Sequence, residues 1–166
     1  DSFPCTESDA VYTLKETKAP TGYQLDATVY PLKTSYSHYS EADNHIALTV
    51  SDQVITGRIQ VSKYARNQVA GIQQPEDGAV FRVWLKSAGS YDKAKDSERD
   101  MITVGKDGKG TSKDLPYGTY CLQQVSGWTG YDLDETIYEA AITAHNKTVT
   151  ADTGGNQLEL HNNIWT

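Results

Sequence analysis

The feature that most constrains the fold of this chain is an internal repeat. The segment 12–23, with the sequence YTLKETKAPTGY, returns in a weaker form as YCLQQVSGWTGY at 120–131. One offset of 108 residues aligns both ends of the two segments, and it also aligns a Leu and an Asp just beyond them. Because so many matches share one register, the two segments are predicted to adopt the same structure.

A second match defines where the copies end. The segment 48–56 (LTVSDQVIT) is echoed at 158–166 (LELHNNIWT), at an offset of 110 residues. The sequence therefore predicts a complete domain at 57–166, preceded at 1–56 by the C-terminal part of another copy. Only about three strands are predicted in 1–56, too few for an independent sandwich, so this copy is predicted to lack its N-terminal strands.

Strand signals dominate the rest of the chain. Eleven Tyr and three Trp accompany a single Met, a composition typical of β-structure. Short alternating segments separated by turn residues predict an antiparallel β-sandwich or barrel. The charged segment 87–99 is predicted to be an insertion that forms either a short helix or a solvated excursion. The predicted strands are 11–17, 27–33, 46–54, 58–63, 78–85, 101–104, 137–144, 148–151 and 158–164, with a further strand that begins at Tyr120.

Charge and composition argue against several functional classes. The net charge is −7 and the pI is near 5.0, which disfavours binding to nucleic acid or to an anionic membrane surface. No stretch approaches the roughly 18 apolar residues of a membrane span. The four His are scattered, and the acidic residues of 92–100 lack a calcium-loop pattern. We therefore expect no metal site, no cofactor and no membrane contact.

Strand alternation places several polar side chains on the predicted core faces. Lys63 closes an apolar strand face, where it either extends to solvent or takes part in a buried site. Glu16 lies in line with two apolar residues, and Gln124 takes its place in the second copy. Asp52 and Asn162 face inward from the two closing strands. Because an unpaired buried charge is costly, these groups are expected to be paired, neutralised or catalytic.

The order of motifs in 57–166 resembles a known family. It comprises the inward Lys63, a Gly-Ala-x-Phe strand at 78–81, a Leu-x-x-Gly-x-Tyr turn at 115–120, a degenerate Tyr-x-Leu-x-Glu box, and Asn162. This order resembles the B-type repeat of Gram-positive collagen adhesins (Cna B-type) and the related SpaA-type pilin domains. Those domains are immunoglobulin-like sandwiches that crosslink themselves with an isopeptide bond. The resemblance implies an all-β, antiparallel immunoglobulin-like β-sandwich.

For 57–166 the resemblance implies an isopeptide bond between Lys63 and Asn162, with Asn163 as an alternative acceptor of outward parity. In such a site burial keeps the amine neutral, while a protonated Glu polarises the amide and transfers protons. In 1–56 the acid and acceptor positions hold Glu16 and Asp52, but that segment contains no lysine strand.

The box of the complete copy departs from the family at the assisting acid. Gln124 stands where the family has Glu, and an amide can form hydrogen bonds but cannot exchange a proton. Either Glu76 or Asp77, just before the strand at 78–85, supplies the acid, or no bond forms. In the second case Lys63 and its acceptor are a buried polar contact.

The two cysteines, Cys5 and Cys121, match no metal-binding or redox spacing. Cys121 is predicted on the outward face of its strand. A disulfide between the two would require the copies to meet, so two unpaired thiols are favoured over a disulfide.

These patterns predict a structural stalk module of a Gram-positive cell-surface adhesin or pilin-like protein, secreted and associated with the cell wall. Its expected partners are neighbouring domains of the same protein, and host matrix or glycans through other domains. No enzyme for an external substrate is expected beyond single-turnover self-crosslinking. The alternative is a ligand-binding adhesin segment, whose contact surface would comprise Tyr36, Tyr39, Tyr91 and residues 87–100.

Overall fold

The computed structural model describes residues 10–34, 47–66, 73–151 and 159–163. The chain divides into two compact units, residues 1–53 and 54–166. Within the described residues, the first unit holds two strands and the second unit holds ten. The assignment of 1–56 to a partial domain and of 57–166 to a complete one stays a prediction.

The first unit contains one antiparallel hairpin. Strand β1 (Ala10–Lys15) pairs with β2 (Val29–Thr34), in a register that sets Tyr12 opposite Leu32 and Leu14 opposite Tyr30. The predicted strand at 46–54 is wrong: residues 47–53 form no strand, and Val54 makes only an isolated bridge. A strand needs a neighbour to bond with, and the described part of this unit offers no further strand.

The second unit is a two-sheet structure, which confirms the all-β prediction. One sheet has the strand order β10-β9-β5-β6, and the other is built around β3, the longest strand. Two short 3-10 helices, Lys86–Ala88 and Asp96–Glu98, lie between β5 and β6. The strands are β3 (Thr56–Arg66), β4 (Gln73–Pro75), β5 (Val80–Leu85), β6 (Arg99–Thr103), β7 (Lys109–Thr111), β8 (Leu115–Pro116), β9 (Gly118–Ser126), β10 (Tyr138–Ile142), β11 (Thr148–Thr150) and β12 (Glu159–Asn163).

Most strand pairs are antiparallel, as predicted, but β11 and β12 both run parallel to β3. The strand that opens this unit and the strand that closes it are therefore direct neighbours that point the same way. A parallel pair needs a long crossover connection, and no local sequence pattern records such a pairing. The sequence accordingly predicted the strands but not these two parallel contacts.

The core lies between the two sheets and is filled by alternate residues of their facing sides. Each such side chain contributes roughly 1.5–3 kcal/mol when it is fully removed from water. The burial pattern of β5, in which Phe81 and Val83 are fully enclosed, follows the predicted alternation. The cluster comprises Ile59, Val61, Ala79, Phe81, Val83, Ile102, Val104, Leu115, Tyr120, Leu122, Ala140, Ile142 and Ala151.

A second, smaller cluster covers the opposite face of β5 and β9. Trp84, Ala94 and Cys121 are buried there, and Tyr91 packs against them. The guanidinium of Arg99 lies 4.9 Å from the centre of the Tyr91 ring and donates a hydrogen bond to the carbonyl of Tyr91. The charged insertion is therefore not wholly solvated as predicted, because Ala94 is buried and the segment covers Cys121, on the face predicted to be outward.

Candidate functional site

Lys63 is the most unusual residue of the core. It follows Ile59 and Val61 on the inner face of β3, and its side chain is completely buried. Burial lowers the pKa of the Lys63 amine, because the charged form loses its hydration, and the nearby Glu76 and Asp134 oppose this shift. Burial therefore favours the neutral form of this amine, which is its nucleophilic form.

Glu76 is brought to Lys63 by the pairing of β4 with β3. The register sets Tyr64 opposite Pro75, and one step further the Glu76 N–H donates to the carbonyl of Lys63 at 3.1 Å. The carboxyl Oε2 lies 3.5 Å from the Lys63 Nζ, and both side chains are fully buried. This separation is that of an ion pair rather than of a well-formed hydrogen bond.

The two oxygens of Glu76 have different surroundings. Oε1 accepts a hydrogen bond of 2.8 Å from the main-chain N–H of Trp128. Oε2 has no hydrogen-bond partner among the described residues and faces Lys63. The indole N–H of Trp128 donates to the carbonyl of Asp77 at 2.8 Å, while Asp77 itself is exposed. Of the two candidate acids, the structure brings Glu76, and not Asp77, against Lys63.

Gln124 lies beside this pair on β9 and is also buried. Its amide Nε2 donates to the carbonyl of Ser126 at 3.1 Å, and its Oε1 accepts from the N–H of Asp134 at 3.4 Å. A Cβ added at Gly127 would overlap Glu76 Oε1 and would lie 2.8 Å from the Gln124 amide nitrogen. Only glycine lets the main chain approach both polar side chains this closely.

Asp134 organises the turn that follows β9. Its carboxylate accepts hydrogen bonds from the Thr136 N–H at 3.0 Å and the Tyr138 hydroxyl at 2.6 Å. Burial acts to raise the pKa of Asp134, but these hydrogen bonds and the charge of Lys63 outweigh it and lower the pKa below its ordinary value. Burial and the bond to Asp134 raise the pKa of Tyr138 to about 12.

Asn162 is placed by the backbone register of β12. Leu160 is the Cα partner of Lys63, and Asn162 is the partner of Ala65, two residues further along β3. Asn163 is the partner of Arg66, and so has the opposite strand parity. The backbone therefore sets Asn162 one diagonal step from Lys63 on the neighbouring strand.

Several residues of this site were missed by sequence reasoning. Trp128 and Gly127 were read only as part of a degenerate box, and Asp134 only as a repeat match. A signal existed, since the Asp, Thr and Tyr of the turn all recur at the same offset in the first copy. There the Asp26 carboxylate accepts from Thr28 N–H and the Tyr30 hydroxyl.

The other candidate residues predicted from the sequence, including the two cysteines, do not belong to the Lys63 site. Glu16 and Asp52 are both partly exposed, so neither faces a buried core as predicted. Glu16 Oε2 accepts from the Asp26 N–H at 2.6 Å. Cys121 carries a free, buried thiol, and burial raises its pKa. Cys5, Tyr36 and Tyr39 lie outside the described residues.

Two further observations apply to residues 10–34, 47–66, 73–151 and 159–163, which the structure describes. No group of three or more His, Cys, Asp or Glu side chains is arranged to hold a metal ion. No helix there has the length and apolar character to span a membrane.

Comparison with solved structures identifies similar folds. The Bacillus anthracis TIE protein superposes with a TM-score of 0.67 at 18% identity, over 94% of this chain and 25% of that one. GBS52, the minor pilin of Streptococcus agalactiae, gives 0.49 at 18% identity over 69% of this chain and 48% of that one. The shaft pilin SpaA from Lactobacillus rhamnosus GG gives 0.46 at 16% identity, over 67% and 51%.

This chain therefore spans about a quarter of the TIE protein chain and about half of each pilin chain. No curated protein matches it. A family model described as SpaA, prealbumin-like fold domain, matches residues 57–157, which is more than half of the sequence. The chain belongs to the SpaA family of prealbumin-like fold domains.

Proposed function

We propose that this chain is a structural stalk module of a Gram-positive cell-surface pilin or adhesin, and that its complete domain crosslinks Lys63 to Asn162 with Glu76 as the assisting acid. The observation that carries the proposal is the fully buried Lys63, which has a carboxyl oxygen 3.5 Å from its amine. Its parallel neighbour strand carries the acceptor. Such a module is extracellular, and its partners are adjoining domains of the same surface protein.

The chemistry is an exchange of one amide for another. Burial lowers the pKa of the Lys63 amine and so favours its neutral form. The reaction requires Glu76 to enter as the carboxylic acid. The neutral nitrogen attacks the carboxamide carbon of Asn162 while Glu76 donates its proton to the carbonyl oxygen. A C–N bond forms, and the attacking nitrogen gives one proton to Glu76, which passes it to the side-chain NH₂ as the bond to that group breaks. The carbonyl then re-forms, and the proton on its oxygen returns to Glu76. One ammonia is released.

Positioning supplies most of what this reaction needs. The amine and the acceptor are carried by the neighbouring strands β3 and β12, and the acid directly follows β4, which also pairs with β3. Holding reactants in such an arrangement replaces a bimolecular encounter by a unimolecular step. Glu76 is the only one of the candidate acids that is buried against the amine, which makes Gln124 compatible with the chemistry.

The product would join the strand that opens the domain to the strand that closes it. Force applied along the chain would then be carried by covalent bonds between β3 and β12. The bond also closes a loop of about 100 residues, which on the chain-entropy account of crosslinks stabilises the fold by about 4–5 kcal/mol. Both properties suit a segment that transmits tension.

Intact-mass measurement of the reduced chain tests the proposal. The expected mass is lower than that of the sequence by one ammonia, and fragmentation should place the link on residues 63 and 162. Lys63→Arg, Glu76→Gln and Asn162→Ala should each restore the full mass. Lys86→Arg is the matched control, since Lys86 is an exposed lysine paired with Glu139, and it should still lose ammonia.

The acceptor is assigned by a second pair of variants. Asn163→Ala should keep the mass deficit that Asn162→Ala abolishes. An unmodified mass for the unsubstituted chain, after folding has been verified by calorimetry, would overturn the crosslink. The stalk assignment would then rest on the family alone.

A further inference from the structure

We infer that residues 124–128 form a holder that positions Glu76 for proton transfer, and that Oε2 of Glu76 is the oxygen that carries the proton. This inference rests on the proposed crosslinking and assigns roles to Gln124, Gly127 and Trp128, to which that proposal gives none. Its central consequence is that Gln124 is a positioning residue, whose replacement by Glu slows the reaction.

Trp128 fixes the segment that bears Glu76 at two points. Its main-chain N–H binds Glu76 Oε1 and its indole N–H binds the carbonyl of Asp77, each at 2.8 Å. The ring also packs edge-on against Tyr131, with centroids 5.8 Å apart. These contacts bind two successive residues of the β4–β5 connection to the turn after β9, so the carboxyl group cannot rotate freely about its side-chain bonds.

The two carboxyl oxygens of Glu76 have different surroundings and therefore different roles. Oε1 is occupied by a donor, so it is a poor site for a proton, because a protonated oxygen would face the Trp128 N–H. Oε2 is directed at Lys63 and has no hydrogen-bond partner among the described residues. In the neutral pair a proton on Oε2 faces the lone pair of the Lys63 amine, whereas a proton on Oε1 would face a donor. The proton therefore belongs on Oε2, next to the reacting amine.

Gly127 is what makes this arrangement possible. The site for a Cβ at this position is already filled by Glu76 Oε1 and by the Gln124 amide nitrogen, which would lie 2.8 Å away. Both side chains therefore approach the same point on the main chain. Because Gly127 leaves room for the side chains of both Glu76 and Gln124, a charge on residue 124 would act directly on the carboxyl group of Glu76.

Gln124 suits this position because it is neutral and can donate. Its Nε2 donates to the carbonyl of Ser126, and its Oε1 accepts from the Asp134 N–H. A carboxylate at residue 124 would keep the second contact but would set an oxygen against the Ser126 carbonyl. It would also add a negative charge close to Glu76 Oε1, and two buried carboxylates repel each other. Gln124→Glu, which recreates the acid of the family box, should therefore impair crosslinking.

The test follows crosslinking of the full chain during cell-free synthesis, stopped at intervals by acid, with the crosslinked fraction read from the intact mass. Trp128→Phe keeps the ring and removes the indole donor, and should slow the reaction about fivefold, the effect of one lost hydrogen bond. Trp84→Phe is the control, because Trp84 belongs to the outer cluster, and it should react at the unsubstituted rate.

The decisive variant is Gln124→Glu, whose rate relative to the unsubstituted chain is measured on freshly synthesised chain transferred to buffer at pH 7.5 or near pH 4.5. We expect slower crosslinking at the higher pH, with part of the deficit recovered at the lower pH as the added carboxylate becomes protonated. A purely structural defect would not change with pH in this way. Calorimetry establishes that each variant is folded.

Crosslinking by Gln124→Glu at or above the unsubstituted rate at pH 7.5 would overturn the inference, and so would equal rates for Trp128→Phe and Trp84→Phe. Both outcomes leave the crosslink itself in place. An unsubstituted chain that never loses ammonia would instead overturn the proposed function, and the proton-carrying role of Glu76 with it.

Discussion

Glu16 and Gln124 occupy the same position in two copies of one hairpin. Each accepts a hydrogen bond from the main-chain N–H of the aspartate ten residues later, Asp26 at 2.6 Å in the first copy and Asp134 at 3.4 Å in the second. The strand registers agree as well, since Leu14 pairs with Tyr30 as Leu122 pairs with Tyr138. The change from carboxylate to amide is therefore a substitution within an unchanged local structure.

The second unit has a buried carboxyl group near Gln124 even though residue 124 itself is an amide. Where the box holds an amide, the buried carboxyl group comes from Glu76, on the other side of the same space. The first copy retains the carboxylate in the box, at Glu16. In the second unit the buried carboxyl group is therefore presented from the connection after β4 rather than from the box strand.

Removing the Tyr138 hydroxyl should destabilise the second unit. Tyr138→Phe deletes the 2.6 Å hydrogen bond to the Asp134 carboxylate, and we expect a loss of about 1 kcal/mol in the free energy of unfolding at neutral pH. Denaturant titration of the full chain at several pH values measures it.

The loss should depend on pH in a defined direction. Because the pKa of Asp134 is lowered on folding from its ordinary 3.8, its ionised form contributes stability above pH 3.8, and that contribution disappears as pH falls through the lower folded value. The difference between Tyr138→Phe and the unsubstituted chain should therefore shrink below about pH 4. A difference that stays constant down to pH 2 would contradict this account.

The repeat, the strands and the inward lysine were accessible from the sequence because each is a local pattern. Alternation predicted that Lys63 shares a face with Ile59 and Val61, and that face is buried. The partners of Lys63 were not accessible in the same way. Glu76 was one of two adjacent acids, and only the register of β4 on β3 selects it.

Long-range contacts also explain why the structure differs from the prediction at 46–54 and at 87–99. The strand expected at 46–54 has correct alternation but no neighbouring strand in the described part of its unit. The charged segment 87–99 looks solvated by composition, yet Ala94 and Tyr91 within it cover Trp84. Composition reports the average exposure of a segment, whereas two apolar side chains at the right places suffice to attach it to a sheet.

Equivalent leucines in the two copies should respond differently to truncation. Leu122 is completely buried, whereas Leu14, its counterpart in the first hairpin, is 42% exposed. We expect Leu122→Ala to cost about 2–5 kcal/mol and Leu14→Ala less than about 1 kcal/mol. Calorimetry of the two full-length variants measures both, and similar costs would show that Leu14 is as buried as Leu122.

Cys121 should react slowly with thiol reagents while the chain is folded. It lies beneath the segment that contains Ala94 and Tyr91, and burial raises the pKa of its thiol, which lowers the fraction present as reactive thiolate. In a Cys5→Ser background, which isolates this thiol, we expect much slower labelling by an aromatic disulfide reagent in buffer than in denaturant. Ala94→Asp, which places a charge in the buried cluster, should accelerate labelling of the folded chain, whereas Lys93→Asp, at an exposed neighbouring position, should not. Rapid labelling of the folded Cys5→Ser chain would show that this segment does not cover Cys121.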